Sequence, residues 1–181
     1  MVSGGVRPAL GKDDGVVGPD GGFSRKTPSG SVVLRVSGLP RGWAVKSIDV
    51  GGRDYSGLPI DVPAGQSVAG VTVVVSSRLP SLTGRLLTAD ATAAAGIALL
   101  FPADPLRWIE AAANQRIARA DGSGRYVFDA VRPGEYFLVA VDSMETWQMN
   151  DPDFLGPLRE RASKLTIGSE AVTLDLKVIR P

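Results

Sequence analysis

This chain carries one motif twice, and the two copies limit its architecture more than any bulk property does. Residues 20–36 read DGGFSRKTPSGSVVLRV, and residues 121–139 read DGSGRYVFDAVRPGEYFLV. Both run from Asp-Gly to an aromatic (Phe23, Tyr126), then through a turn holding proline and glycine (Pro28 and Gly30, Pro133 and Gly134) into an alternating strand. A second landmark, VTVVV from Val71 and VTLDL from Val172, recurs at the same offset of about 100 residues. One offset shared by two landmarks points to duplication of a unit, hence to two modules in tandem.

Asp-Gly before an aromatic is a tight turn entering a strand, because glycine takes positive φ at no steric cost. Pro133-Gly134 forms a second turn, with proline presetting φ. In EYFLVAV, Tyr136, Leu138 and Ala140 alternate with Phe137, Val139 and Val141. Both faces are apolar or aromatic, which predicts a central strand. SVVLRV places Val32, Leu34 and Val36 on one face and Val33 and Arg35 on the other, the pattern of a half-exposed strand.

Further strands are expected over 44–52, 81–90 and 96–104 and in the closing LKVIRP. Turn signals about every 8–12 residues indicate an all-β sandwich or barrel. One short helix is expected near 152–162, capped by Asn150 or Asp151, with Pro152 in its first turn. Phe154, Leu155 and Leu158 would form its buried stripe, and Gly156-Pro157 should hold it to one or two turns. The boundaries follow: a flexible or truncated segment 1–19, a first and partial module 20–78, and a second module 79–181. No counterpart of the second module's opening strands is found before Asp20.

Composition removes whole classes of chemistry. The 181 residues contain neither cysteine nor histidine, which excludes disulfides, thiolate metal sites, and Ser-His-Asp and Cys-His mechanisms. A net charge of +1 gives no field to attract nucleic acid or an anionic membrane. The apolar stretch from Ala91 to Ala103 is interrupted and shorter than the roughly 20 residues of a membrane span, so no membrane insertion is expected. The N-terminus lacks an apolar signal core, which places any export signal upstream of Met1.

The remaining candidates are weak against ordinary structural roles. Asp142, Glu145, Asp151 and Asp153 cluster in sequence but match no calcium-loop spacing, and they read as caps and solvated charges. Asp13-Asp14 reads as part of a flexible segment. Asp104 with Glu110, or Asp142 with Glu145, are the carboxylate pairs a glycosidase would need, and nothing lifts them above surface acids. Arg116, Arg119 and Arg125 read as the exposed side of a strand. Gly21-Gly22 and Gly51-Gly52 read as turns rather than phosphate cradles. Of three tryptophans, Trp43 is expected in the core. Trp108 and Trp147 fall in long inter-strand segments, where an exposed indole stacks on sugars or anchors a partner and a covered one closes the core.

LTGRLLTADATAAAGIALLFPAD followed by DGSGRYVFDAVRPGEYFLVAV resembles the opening strands and signature segment of the carboxypeptidase regulatory-like domain family. DGGF and PSGSVVLRVSGLPRGWAVKSIDVGGRDYSGLPIDV resemble tandem versions in large bacterial surface or periplasmic proteins. The resemblance implies an all-β fold of two tandem transthyretin-like (Ig-like) β-sandwich modules, the first incomplete. It implies no catalytic residue, cofactor or metal, and a periplasmic or cell-surface location. The expected role is a non-catalytic spacer or docking module of a larger exported protein, whose partners are its other domains or a surface partner. The rival readings are a carbohydrate-binding module using Trp108 or Trp147 and, more remotely, a carboxylate-dependent hydrolase.

Overall fold

A computed structural model describes residues 2–4, 15–108 and 115–181. The described residues are all-β with one α-helix, and the chain divides into two compact units, Met1–Ser77 and Arg78–Pro181.

The first unit holds β1 (Val2–Gly4), β2 (Gly30–Val36), β3 (Ala44–Val50), β4 (Arg53–Asp54), β5 (Pro59–Val62) and β6 (Val71–Ser76). They form two three-stranded sheets, ordered β1-β2-β5 and β4-β3-β6. The glycine-rich opening therefore contributes a strand after all, with Val2 opposite Val36. Three residues are too few to show a period, so pairing alone reveals β1. The apolar pattern of β2 also resolves against expectation. Val33 is the fully buried residue of β2, whereas Val32, Leu34 and Val36 are half-buried, although Val32 stands directly opposite the buried Ile60 of β5.

The second unit holds β7 (Leu82–Leu87), β8 (Ile97–Pro102), β9 (Arg116–Arg119), β10 (Arg125–Phe128), β11 (Gly134–Val141), α1 (Pro152–Arg161), β12 (Ser163–Ile167), β13 (Val172–Thr173) and β14 (Leu176–Ile179). The sheet runs β10-β7-β14-β11-β8-β9, with β12 paired to β11 and β13 to β7. Its two end strands, β9 and β10, come into contact, so the sheet wraps around one interior.

β11 is central, as its two apolar faces predicted. It pairs β8 along one edge, and β12 then β14 along the other. Tyr136, Leu138 and Ala140 enter the enclosed core with Leu82, Leu86, Leu100, Tyr126 and Phe128. Val139 and Val141 enter a second core with Ile97, Leu99, Phe101 and Trp108, roofed by Leu155 and Leu158 of α1. Burial of a large apolar side chain contributes about 1.5–3 kcal/mol, so this two-sided strand anchors the unit.

α1 occupies the expected span but exceeds the one or two turns that Gly156-Pro157 suggested. Asp151 caps it by accepting from the Asp153 N–H at 2.9 Å, and Pro152 takes the first position, but the helix continues through Pro157 to Arg161. Pro157 removes one helical hydrogen bond. Burial of Leu155 and Leu158 on the outer face of β8 and β11 offsets that loss.

The duplicated motif persists as turns rather than as pairing. Asp20 accepts from Gly22 N–H at 3.0 Å, and Asp121 from Ser123 N–H at 2.9 Å, the same Asx turn. Gly30 and Gly134 each open a strand with positive φ, +116° and +152°. Phe23, however, lies in no strand, while Tyr126 sits in β10. Val71 opens β6, antiparallel to β3, whereas Val172 opens β13, parallel to β7.

Candidate functional site

The stretch between β11 and α1 gathers most of the sequence-derived candidates. A 3-10 turn at Thr146–Asn150 turns Met144 and Met149 against the second core and leaves the Trp147 indole 63% exposed. That ring is thus an apolar surface that packing does not use.

The surrounding carboxylates serve the backbone. Asp142 accepts from Ser143 N–H at 2.7 Å and faces Arg180 at 3.6 Å. Glu145 precedes the 3-10 turn, its N–H donating to Gln148 Oε1 at 2.7 Å. Asp151 caps α1. Among the described residues, no three acidic side chains converge as a cation site. Asp104 caps another 3-10 turn by accepting from Leu106 N–H at 3.0 Å. Its proposed partner Glu110 lies outside the described residues, as do Asp13 and Asp14.

Of the other two tryptophans, Trp108 takes the covered alternative and Trp43 departs from its expected place. Trp108, a candidate contact residue, is 5% exposed; its ring meets Phe101 edge-on and its Nε1 donates to the Pro102 carbonyl at 2.8 Å. Its surface is spent on the core and presents no face to a ligand. Trp43, expected in the core, is 45% exposed. It sits one residue before β3, at the end of a turn closed by its N–H on Pro40, and the strand's alternation does not direct it inward.

Arg116 also departs from the simple exposed-strand reading. Its guanidinium lies over the Phe128 ring and donates to the carbonyls of Asp129 and Ala130, at 2.6 and 3.4 Å. Burial lowers its pKa, opposed by the negative charge of Asp129. It stitches β9 to the turn after β10, where Ala130 holds φ +52°.

Two recesses lie among the described residues. In the first unit an apolar groove of about 760 Å³ lies over Val32, Leu34, Ile60 and Val62, flanked by Phe23 and Val71. In the second unit a polar groove of about 470 Å³ lies over β7, β10 and β13, lined by Thr83, Arg85, Ser123, Arg125, Thr173 and Asp175. Sequence reading missed this second group as a unit. The only signal was the alternation of polar residues along LTGRLL, RYVF and VTLDL; which of them share a face depends on register.

Neither a family model nor a curated protein matches the chain. Among solved structures it is similar to a Pseudomonas aeruginosa protein provisionally assigned as carbohydrate-binding. That likeness has 16% identity and a TM-score of 0.32, over 55% of this chain and 88% of the other. It is also similar to the major pilin subunit of Bacillus cereus, with 8% identity and a TM-score of 0.39 over 77% of this chain. A streptococcal ancillary pilin shows 13% identity and a TM-score of 0.36 over 86% of it. The chain spans 57% and 51% of those two pilins. Scores of this size support no functional assignment. No described helix is long and apolar enough to cross a membrane.

Proposed function

We propose that this chain is a non-catalytic spacer or docking segment of a larger exported bacterial protein, built from two tandem β-modules of the carboxypeptidase regulatory-like kind. The observation that carries this reading is the use made of the candidate chemistry. The clustered carboxylates cap turns and α1, and Trp108 fills the core. The chain has no histidine or cysteine to supply a base, a nucleophile or a soft ligand. The tandem reading is supported by the two compact units and the matched Asx turns at Asp20 and Asp121. A central strand covered on both faces by residues of its own unit, as β11 is, gives the rigidity a spacer needs.

Trp147 supports the second reading, a carbohydrate-binding module, because an exposed indole stacks on the apolar face of a sugar. An array of neutral glycans separates the two, with no retention expected for the wild-type chain. Retention lost in Trp147→Ala would replace the spacer reading with the stacking one. Hydrolysis of a glycoside or peptide that a single Asp or Glu substitution removes would make the chain an enzyme. Protease accessibility on intact cells of the source bacterium tests export: protection equal to that of a cytosolic marker would remove that part of the reading.

A further inference from the structure

The polar groove of the second unit is built around two arginines placed face to face. Arg125 of β10 is the direct register partner of Arg85 of β7, and both are exposed. Like charges directly opposite on a sheet repel each other. Asp121 accepts from Arg125 N–H at 3.0 Å and feels the Arg125 charge, but neither guanidinium donates a hydrogen bond to a described residue.

Hydroxyls and one carboxylate flank the pair. Thr83 and Thr173, also register partners, bring their hydroxyl oxygens to 3.3 Å. Ser123 lines the turn end of the groove. Asp175 accepts from Arg85 N–H at 2.8 Å through Oδ1, and its Oδ2 has no partner among the described residues. The site therefore offers two guanidinium forks for an oxyanion, with hydroxyls and a carboxylate oxygen beside them to accept from ligand hydroxyls.

We propose that this face binds an acidic glycan, with a uronate carboxylate bridging Arg85 and Arg125 and the sugar hydroxyls on Asp175, Thr83 and Thr173. Guanidinium groups pair with carboxylates through two parallel N–H bonds, stronger and more directional than a point-charge contact. At about 470 Å³ the groove falls within the range of small-ligand clefts. A peptide strand would need a free sheet edge, and β7 is paired on both sides. A nucleic acid would need a far larger positive field than a net charge of +1 provides. This site deepens the docking reading and makes no use of Trp147.

The test is calorimetric titration of the full chain with a short linear oligogalacturonate, a neutral galacto-oligosaccharide of equal length, and sodium sulfate. Saturable binding of the uronate oligomer alone is expected, weakened at least about tenfold in Arg85→Ala/Arg125→Ala. The same loss is expected in Asp175→Asn/Thr173→Val, where both arginines remain. Amide NMR shifts in the wild-type chain should centre on Thr83, Ser123 and Thr173. Absence of uronate binding, unchanged binding in the arginine variant, or equal affinity for sulfate or the neutral oligomer would overturn the assignment. Uronate binding lost in Trp147→Ala but kept in the arginine variant would place the sugar at the tryptophan instead, overturning this site while leaving carbohydrate binding in place.

Discussion

The hydroxyl of Tyr126 in β10 reaches past β7 and donates to the backbone carbonyl of Leu174 at 2.5 Å. An unbroken parallel ladder would give that carbonyl to the Arg85 N–H, since Leu174 N–H already bonds the Thr83 carbonyl. Here Arg85 N–H turns to the Asp175 carboxylate instead. Two side chains thus replace one ladder bond, which is why β13 and β14 are separate strands with a single register against β7. Gly84 permits the exchange, because a Cβ there would stand 1.9 Å from the Leu174 oxygen.

Gly84→Ala is therefore expected to destabilise the second unit by about 3 kcal/mol or more, at the upper end of overpacking costs. The added methyl also meets the Tyr126 oxygen at 2.8 Å, so neither neighbour can yield without losing the hydrogen bond. Urea denaturation followed by far-UV circular dichroism measures it. A loss below about 1 kcal/mol would contradict this packing.

Tyr126→Phe keeps the ring in the core and strands the Leu174 carbonyl, at an expected cost of about 1–3 kcal/mol. Burial first, and the charge of Asp175 second, raise the Tyr126 pKa well above the ordinary phenol value. The folded state thus keeps a proton that the unfolded chain releases near pH 10. This contribution is complete below pH 10 and is lost as pH rises beyond it. Stability measured between pH 9 and 11 (about one unit each side) should fall less steeply in Tyr126→Phe than in the wild type.

Leu138, fully buried at the middle of β11, should cost about 2–5 kcal/mol when changed to alanine. Thermal melting monitors it, and an unmoved transition would refute the central position of the strand.

The tryptophans should behave oppositely. Trp108→Ala should destabilise by about 3–5 kcal/mol, since it empties the space beside Phe101 and frees the Pro102 carbonyl. Trp147→Ala should change stability by less than about 0.5 kcal/mol. Iodide quenching provides a second readout: fluorescence from Trp43 and Trp147 should be quenched readily, and that of Trp108 protected.

Asp151→Ala removes the cap of α1 and should cost about 1 kcal/mol. Asp151→Asn should recover most of it, which separates the capping hydrogen bond from simple loss of charge.

What the sequence determined by itself was local. Apolar runs and alternation between turn signals marked β3, β7, β8, β11 and β14, and the two apolar faces of EYFLVAV placed β11 at the centre, because a strand buried on both sides has no polar face to present to water. The Asp-Gly turns and the cap at Asp151 were equally legible, since each depends on a few adjacent residues. The tertiary structure alone decided which surfaces were covered. Val33 is buried while Val32 is not, Trp108 is enclosed while Trp43 is exposed, and α1 runs through Pro157 because a core lies beneath it. Register alone set Arg125 against Arg85 and Thr83 against Thr173, bringing together residues that are 40 and 90 positions apart in the chain. Neither coverage nor register is a local property, since both depend on where distant strands pack.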